Sequence, residues 1–384
     1  MIDIEIEFLP FYWRLSPQSK KLPNVVDDYF PFAFDFDVIN GLVLQKRNED
    51  VLKALNFIYT QDFNIGYLQD ANDIAKPYGQ DFICYLYKVL DENPNVNKVL
   101  EIGCGGCVIL DSLQKSGYKV CGIDSSPFAK KEGSKKGVKV ITDFFPSEQI
   151  SENFDMIFSV DVLEHVCDYM NFLEHQYEKL NDGGILIVNV PDATDSIIIG
   201  DISMAMHQHL NYFTKTSLKA VIGNAGFEVI SVDNSGYGGS LYAMGRKSKK
   251  LTDVMNVTDR CEYDDFTVQV EHAFTAFFEY FDMVQSNKRK TLGIYVPLRS
   301  LPYLAKIGIY KGYRFFDDTA HWHMNVFDGI DIPIENFSDL KQNPVTDLLI
   351  MSLTFGDVIR NKVLKEFGMD INVVTLADLL SRSQ

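Results

Sequence analysis

The chain has 384 residues, which is enough for two or three domains that each bury a core of their own. Its composition, 46% hydrophobic and 23% charged, is typical of a folded globular protein and excludes disordered, collagen-like and coiled-coil chains. Lys and Arg number 36 against 53 Asp and Glu, and the net charge of −17 disfavours nucleic acid and anionic membrane surfaces as partners.

The sequence also indicates the cellular compartment in which the protein is located. The first ten residues, MIDIEIEFLP, lack the basic start and the long apolar run of a signal peptide. No stretch approaches the roughly 18 consecutive apolar residues of a membrane span. Six cysteines at uneven spacings are typical of reduced thiols and not of a disulfide framework. We therefore expect a cytoplasmic protein.

Residues 1–80 are rich in aromatic side chains and in proline turn signals. They are predicted to form a small N-terminal region or lid of helices and short strands, whose fold the pattern does not define. From Asp81 to Leu90 the apolar residues recur with the period of a helix, so a second unit is predicted to begin there.

Residues 81–248 alternate short apolar runs with helical patterns, which is typical of a parallel sheet covered by helices on both faces. The predicted strands are Lys98–Ile102, Lys119–Ile123, Val138–Ile141, Asp155–Val160, Ile185–Val190, Phe227–Val232 and Leu241–Met244. Only the short segment Asp233–Ser240 separates the last two strands, and it has no room for a crossover helix. The α/β sheet is therefore predicted to end in an antiparallel hairpin.

The segment Arg246–Lys250 is predicted to be an exposed linker into a second, Rossmann-like α/β domain over residues 249–384. That domain is predicted to contain a long amphipathic helix, Asp264–Gln285, followed by strands at Thr291–Val296, Tyr313–Phe316, Leu348–Met351 and Ile371–Thr375.

Two motifs of this second domain are predicted not to bind a ligand. Tyr295 and Pro297 stand where a dinucleotide-binding turn would have glycines, so we expect no dinucleotide there. The segment Asp317–His323 contains two aspartates and two histidines, but an ordinary loop is the favoured interpretation over a metal site.

A glycine-rich turn follows the first predicted strand of the central domain, in the sequence VLEIGCGGC over residues 99–107. Such a turn lets the backbone approach a ligand closely at the carboxyl edge of a sheet. Asp124 ends the next strand, 21 residues after Gly103, where a carboxylate can accept hydrogen bonds from both hydroxyls of a ribose. The ligand is therefore predicted to contain a nucleoside.

Two residues distinguish this turn from a dinucleotide-binding one. Val108 occupies the last glycine position of the dinucleotide pattern. Glu101 places a carboxylate at the mouth of the turn, where it suits a cationic amino-acid ligand better than a pyrophosphate. S-adenosylmethionine (SAM) has a ribose, an ammonium group and a sulfonium, and it has no phosphate. We therefore expect SAM as the cofactor.

The cysteines of the turn, Cys104 and Cys107, allow a redox dithiol or half of a zinc site as alternative interpretations. No second C-x-x-C completes a tetrahedral zinc set, so no metal is expected.

Over roughly residues 80–245 the chain resembles the class I SAM-dependent methyltransferases. The turn with Glu101, Gly103 and Gly105 matches the first motif of that family, and Asp124 matches the second. The resemblance implies the class I methyltransferase fold with its antiparallel terminal hairpin. It also implies cofactor contacts from Glu101, Gly103, Cys104, Gly105, Asp124, Ser125, Asp143, Phe144 and Ser159.

SAM carries an activated methyl group, so the protein has to align a nucleophile and remove a proton from a weak one. His165 and His209 both follow strands that are predicted to end near the methyl group. His209 is the predicted general base and His165 the supporting residue, because histidine suits this task near neutral pH. Alternatively, His165 caps a helix or lines the adenine side of the site. His207 is predicted to be a surface or structural residue.

The stretch His207–Gly226, together with the second α/β domain, resembles the sugar C-methyltransferases, which act on nucleotide-linked ketosugars. In their pattern, Y-x-E-H-x-x-Y-F, His209 and the closing Tyr-Phe pair match, whereas Met206 and Gln208 replace the Tyr and the Glu. The zinc-binding N-terminal module of that family has no counterpart here. The resemblance implies a sugar or nucleotide-sugar acceptor, as in polysaccharide biosynthesis, with C- or O-methylation undecided.

Two other functions stay open at this point. One is O- or N-methylation of another small metabolite, and the other is a non-catalytic module that binds SAM for interaction. The oligomeric state, a homo-oligomer included, is also open.

Overall fold

The computed structural model describes residues 4–11, 16–17, 26–60, 75–248, 257, 261–309, 311–319, 322–327, 329–368 and 370–381. In these residues the strands form three main sheets and one two-stranded ribbon. None of the helices in the described ranges is both long enough and apolar enough to cross a membrane.

The N-terminal region contains an antiparallel sheet that the sequence analysis did not define. Its elements are β1 (Glu5–Pro10), β2 (Ser16–Pro17), β3 (Tyr29–Asp37), β4 (Leu42–Gln45), α1 (Glu49–Thr60) and α2 (Ala75–Glu92). Strand β3 pairs with β1 on one side and β4 on the other. Along β3 every second residue is a phenylalanine, and Phe30, Phe32 and Phe34 are buried. Helix α2 runs across residue 80 into the central part of the chain.

The central part has the predicted α/β alternation. Its elements are β5 (Lys98–Ile102), α3 (Val108–Lys115), β6 (Lys119–Asp124), α4 (Pro127–Lys136), β7 (Lys139–Thr142), β8 (Phe154–Val160), α5 (Tyr169–Lys179), β9 (Leu180–Pro191), α6 (Thr194–Ile199), β10 (Asn211–Tyr212), α7 (Lys215–Asn224), β11 (Phe227–Asn234) and β12 (Ser240–Lys247).

Seven of these strands form one sheet in the order β11-β12-β9-β8-β5-β6-β7. Strand β12 is antiparallel to both of its neighbours, and the five strands from β9 to β7 are parallel. Apolar clusters cover both faces of the sheet, one with α3 and α4, and the other with α5 and α7. The predicted fold, a mostly parallel α/β sheet with an antiparallel terminal hairpin, is therefore confirmed.

The predicted linker begins later than expected. Arg246 and Lys247 belong to β12, where Arg246 pairs with Ile185 of β9. Arg246 also donates a hydrogen bond to the side chain of Asn93, and Lys247 donates one to the carbonyl of Leu180. The linker prediction is wrong for these two residues, because such contacts hold basic side chains in the sheet. Residues 249 and 250 lie outside the described residues.

The C-terminal part contains a second parallel sheet, as predicted. Its elements are α8 (Cys261–Ser286), β13 (Leu292–Tyr295), α9 (Leu301–Ile307), β14 (Tyr313–Asp317), β15 (Asn325–Val326), β16 (Ile334–Asn336), β17 (Asp347–Ile350), α10 (Gly356–Phe367), β18 (Asn372–Thr375) and α11 (Leu376–Ser381). Its five parallel strands have the order β16-β14-β13-β17-β18, and β15 pairs with β2.

The N-terminal sheet packs against both the central part and the C-terminal part of the chain. Strand β10, from the central part of the chain, extends it by pairing with β4. On the other side, one apolar cluster joins its residues Phe32 and Phe34 to Phe266 of α8 and Ile294 of β13. The segment that precedes β10, which contains His209, is therefore tied to the N-terminal sheet.

Candidate functional site

The glycine turn after β5 has the backbone that a close ligand approach requires. Gly103 and Gly105 have φ angles of 74° and 42°, in the left-handed region that favours glycine. A Cβ atom on Gly105 would meet no atom of the described residues within 4 Å, whereas one on Gly103 would lie 2.5 Å from the Val162 side chain. Gly105 thus borders open space, and Gly103 packs against the loop after β8.

Asp124 connects the end of β6 to this turn. One carboxylate oxygen accepts a hydrogen bond from the Gly105 backbone at 2.9 Å, and the other accepts one from the Ser126 backbone at 2.8 Å. A carboxylate oxygen can accept more than one hydrogen bond, so a carboxylate at this position suits the hydroxyls of a ribose. Ser125, which is also predicted to contact the cofactor, follows Asp124 in the sequence and is half-buried.

Glu101 is a buried carboxyl group, and one of its oxygens has no hydrogen-bond partner among the described residues. Its side chain is 1% exposed, and its Oε2 atom contacts no donor. Burial raises the pKa of Glu101 well above its ordinary value, and the nearby Cys107 and Asp124 add to the rise. A cationic group beside this carboxyl would stabilise its charged form. The ammonium group of SAM has that charge, so Glu101, Asp124 and the open space at Gly105 fit this cofactor.

The other predicted cofactor residues lie at the same edge of the sheet. Asp143 follows β7 and is held by hydrogen bonds from Ser147 and Gln149, and Phe144 beside it is 42% exposed. Ser159 of β8 is fully buried, and its hydroxyl has no hydrogen-bond partner in the part of the chain that the structure describes. Cys104 differs from these residues, because its side chain belongs to the apolar core. Only the backbone of Cys104 is therefore available to a cofactor.

The two predicted catalytic histidines meet in the structure. His165 ends a short 3-10 turn, Leu163–His165, after β8, and its ring centroid lies 5.1 Å from that of His209. The Leu210 N–H donates to the Glu164 carbonyl at 2.7 Å, which joins the two segments. Nδ1 of His165 lies 2.7 Å from the carbonyl oxygen of Gln208. The chain therefore fixes His165 and His209 side by side.

Glu164 completes a cluster with these histidines, and the sequence analysis did not assign it a role. One ligand atom from each of the three side chains lies within 4.8 Å of the others, so together they could hold a metal ion. Glu164 is 1% exposed, and burial, with Asp161 adding to it, raises the pKa of its carboxyl well above the ordinary value. Burial lowers the pKa of His165 and that of His209, and for His209 the neighbouring His165 and Arg299 lower it further. Burial thus favours the neutral form of both imidazoles, the form that accepts a proton or binds a metal.

His207 has a different environment from the other two histidines. It is 1% exposed, and its ring packs against Phe11, Phe30 and Phe32. Its Nε2 atom lies 3.2 Å from the carbonyl oxygen of Phe30. Of the two predicted alternatives, these contacts support a structural residue and not a surface one.

A second polar group near the end of β8 was missed by the sequence analysis. The Tyr78 hydroxyl lies 2.7 Å from Asp161 Oδ1 and 2.8 Å from Asn189 Oδ1. Asp161 has a φ of 52°, which is unusual for a residue other than glycine and is a feature of functional sites. Burial raises the pKa of Asp161 to about 6. Tyr78 belongs to α2, far away in the sequence, so no local pattern marks this contact.

In the second parallel sheet, side chains fill the carboxyl end of β13. The Tyr295 hydroxyl donates to Asp318, which also pairs with Lys362, and Val296 has a left-handed φ of 60°. Nε2 of His323 lies 2.9 Å from the backbone carbonyl of Asp317. The other histidine of that motif, His321, lies outside the described residues.

Replacing Asp124 by alanine is expected to weaken SAM binding. The change removes a charged acceptor, and the loss of such a hydrogen bond costs about 1.5–3 kcal/mol, or roughly 10- to 150-fold in affinity. Calorimetric titration of the wild-type and variant proteins with SAM measures the effect. Exposed Asp195 of α6 is a matched control, because its replacement by alanine should leave the affinity unchanged. An unchanged affinity in Asp124→Ala would contradict the ribose assignment.

Comparison with known proteins agrees with this geometry. Residues 72–232 match a family model described as a methyltransferase domain. The ubiquinone biosynthesis O-methyltransferase of Azorhizobium caulinodans is 30% identical over 149 residues, which cover 34% of this chain and 59% of the relative. That of Dinoroseobacter shibae is 26% identical over 177 residues, which cover 41% of this chain and 68% of the relative. The chain thus spans about three-fifths of the length of the first of these relatives.

Two solved structures are similar in fold. Magnesium protoporphyrin IX methyltransferase (ChlM) from Synechocystis, with bound S-adenosylhomocysteine (SAH), has a TM-score of 0.41 and 15% identity, with 52% of this chain and 100% of that chain covered. The N-methyltransferase NodS from Bradyrhizobium japonicum, also in complex with SAH, has a TM-score of 0.37 and 15% identity, with 47% and 91% covered.

The strand order, the glycine turn with Glu101 and Asp124, and the family match all concern the same stretch of the chain. Residues 72–232 are therefore a class I methyltransferase domain, and its cofactor is S-adenosylmethionine.

Proposed function

We propose that this chain transfers the methyl group of SAM to a hydroxyl oxygen of a small-molecule acceptor. The main support is the position of Glu164, His165 and His209 next to the cofactor turn. Val162, two residues before Glu164, is close enough to the turn for a Cβ on Gly103 to collide with it. This proximity supports the proposal that the acceptor meets the methyl group beside these three side chains.

In the proposed reaction His209 is the group that acts on the acceptor's proton. The acceptor O–H bond breaks, the proton passes to a ring nitrogen of His209, and the oxygen forms a bond to the methyl carbon. The bond between that carbon and the sulfur breaks, and its electron pair stays on the sulfur, which leaves SAH. His165 is the proposed supporting residue, since its contact with the Gln208 carbonyl fixes the backbone next to His209.

Oxygen is favoured over carbon as the methylated atom for two reasons. Deprotonating a carbon beside a ketone needs a stronger set of polar groups than deprotonating a hydroxyl. This chain has Met206 and Gln208 where the sugar C-methyltransferases have Tyr and Glu. In addition, the curated relatives described above are named as O-methyltransferases.

The proposed acceptor is a sugar, either free or linked to a nucleotide. The first support is the resemblance of the stretch His207–Gly226 to the sugar C-methyltransferases. The second is the proposed division of the chain into units at residues 80 and 248. In this division residues 249–384 are proposed to form a wall of the acceptor site. Arg299 of that unit donates to the Ser203 carbonyl at 3.3 Å, and its positive charge acts on His209. A cation there suits an acceptor with a phosphate group. The relatives' names favour a second candidate, a hydroxyl of a compound in ubiquinone biosynthesis.

The test is a panel of acceptors incubated with SAM and the full chain. Mass spectrometry should detect a product heavier by one methylene group together with SAH, and NMR of the product should place the new methyl group on oxygen. Sugars, nucleotide-linked sugars and ubiquinone precursors form the three arms of the panel. A methyl group on carbon or nitrogen, or SAM binding without a product in any arm, would contradict the proposal.

A further inference from the structure

The hydroxyl group of Tyr59 is a buried polar group that the fold leaves without a partner. Tyr59 lies in the last turn of α1 (Glu49–Thr60), and its hydroxyl oxygen has no hydrogen bond within the part of the chain that the structure describes. The opposite face of the helix is packed into an apolar cluster through the buried residues Val51, Ala54, Leu55 and Ile58. Leaving a buried hydroxyl unpaired costs stability, so its presence points to a partner outside the fold.

Tyr59 lies beside the predicted catalytic histidines. Its ring centroid is 6.3 Å from that of His165, in an edge arrangement with an angle of 61° between the rings. Tyr59 also packs against the apolar cluster that contains Leu210, the residue after His209. The N-terminal region thus contributes a side chain to the candidate site from outside residues 72–232, which match the methyltransferase domain.

Glu164 supplies the complement to this hydroxyl. Its Oε2 atom is buried and has no hydrogen-bond partner among the described residues. Burial raises the pKa of Tyr59, and the nearby Glu164 raises it further, so the phenol keeps its proton and can donate it. A carboxyl oxygen is an acceptor. One hydroxyl group of a ligand can therefore accept a hydrogen bond from Tyr59 and donate one to Glu164.

We propose that Tyr59 binds the acceptor, and that Tyr59 and Glu164 together bind a second hydroxyl group beside the one that reacts at His209. Polar atoms of Glu164 and His209 lie within 4.8 Å of each other, so the acceptor has hydroxyl groups on neighbouring carbon atoms, as sugars have. The position of the reacting hydroxyl at His209 rests on the proposed function. A site of this kind rejects an analogue that lacks the second hydroxyl, because the buried groups then stay unpaired.

The first test measures the stability of the free chain. Tyr59→Phe removes only the hydroxyl, and the midpoint of thermal unfolding should stay the same or rise, because that group has no partner to lose. Tyr87→Phe is the matched control, since the Tyr87 hydroxyl lies within hydrogen-bond distance of Ser112 and Ser116, and its loss should lower the midpoint. A lower midpoint in Tyr59→Phe would show that its hydroxyl supports the fold, and it would overturn the proposal.

The second test measures acceptor binding to the full chain saturated with SAH. Each compound of the three-arm panel is paired with an analogue in which one of two neighbouring hydroxyl groups is replaced by hydrogen, as 2-deoxyglucose is paired with glucose. Saturation-transfer NMR gives the affinities. Tyr59→Phe should weaken binding of the acceptor at least about tenfold, and it should bind one of the deoxy analogues as the wild type does. Calorimetry should give wild-type affinity for SAH, and Tyr87→Phe should bind both ligands normally.

The outcomes separate this proposal from the proposed function. A compound that binds through Tyr59 but gains no methyl group on oxygen supports the role of Tyr59 and contradicts the proposed function. A compound that the wild type and Tyr59→Phe bind and methylate on oxygen equally well supports the proposed function and overturns the role of Tyr59. A wild-type chain that binds no compound in any arm overturns the role of Tyr59 as well.

Discussion

Replacing His209 by asparagine is expected to lower turnover by about 10²- to 10⁴-fold, the usual range for the loss of a positioned acid–base group. Asparagine keeps much of the shape of the imidazole, but it does not accept a proton at pH 7. The change therefore removes the proposed role of His209 in taking the acceptor's proton. SAM affinity should not change, because Glu101 and Asp124, the proposed cofactor ligands, belong to the ends of other strands.

Steady-state rates with the acceptor found in the panel measure this effect, and calorimetry measures SAM affinity in the same preparations. His272 is exposed on α8, so the His272→Asn variant is a matched control and should retain the wild-type rate. A near-normal rate in His209→Asn would assign the reaction to another group, or it would show that the acceptor is an already nucleophilic amine or thiol. Either result would contradict the proposed hydroxyl chemistry at this cluster.

Replacing Gly105 by alanine is expected to weaken SAM binding by about 10- to 100-fold. The new methyl group would enter the open space beside the turn, and forcing extra atoms into a fitted site costs roughly 1–3 kcal/mol. Gly105 is a sharper probe than Gly103. A side chain at Gly103 would collide with Val162, so a loss of binding there would also reflect a disturbed loop.

The matched control for Gly105→Ala is Gly137→Ala. Gly137 ends α4 with a φ of 71°, so its replacement introduces similar backbone strain away from the proposed cofactor. Thermal unfolding of both variants shows how much stability that strain removes. Equal SAM affinities in the two variants and the wild type would show that the turn is not the cofactor site.

The sheet that holds the cofactor turn was predictable because each of its strands is a local signal. The strand Lys98–Ile102 is found with the predicted bounds, and the glycine turn follows directly from its sequence. The N-terminal sheet was not predicted, although Phe30, Phe32 and Phe34 alternate with the period of a strand. The prolines nearby obscured that pattern, since Pro31 lies within the strand itself and proline is usual only at strand edges or bulges.

The candidate site was predictable only in part, because some of its residues have a local sequence signal and others do not. His165 and His209 were found because each follows a recognisable strand, and the structure does bring them together. Glu164 was overlooked because its burial, which makes it a candidate for the site, cannot be predicted from a single acidic residue in the sequence. Tyr78 and Asp161 are 83 residues apart in the sequence, and only the folded chain shows their contact.

The pairing of β10 with β4 has a consequence for how this protein would respond to amino-acid substitutions. The Gln45 N–H of β4 donates to the carbonyl of Leu210, the residue that follows His209. The backbone that positions His209 is therefore anchored in the N-terminal sheet, whereas the cofactor turn is anchored in the parallel sheet. With His209 as the proposed base, substitutions in the N-terminal sheet are expected to alter acceptor turnover while methyl-donor affinity stays constant. Under that proposal the two halves of the reaction would be separately tunable, by evolution or by engineering.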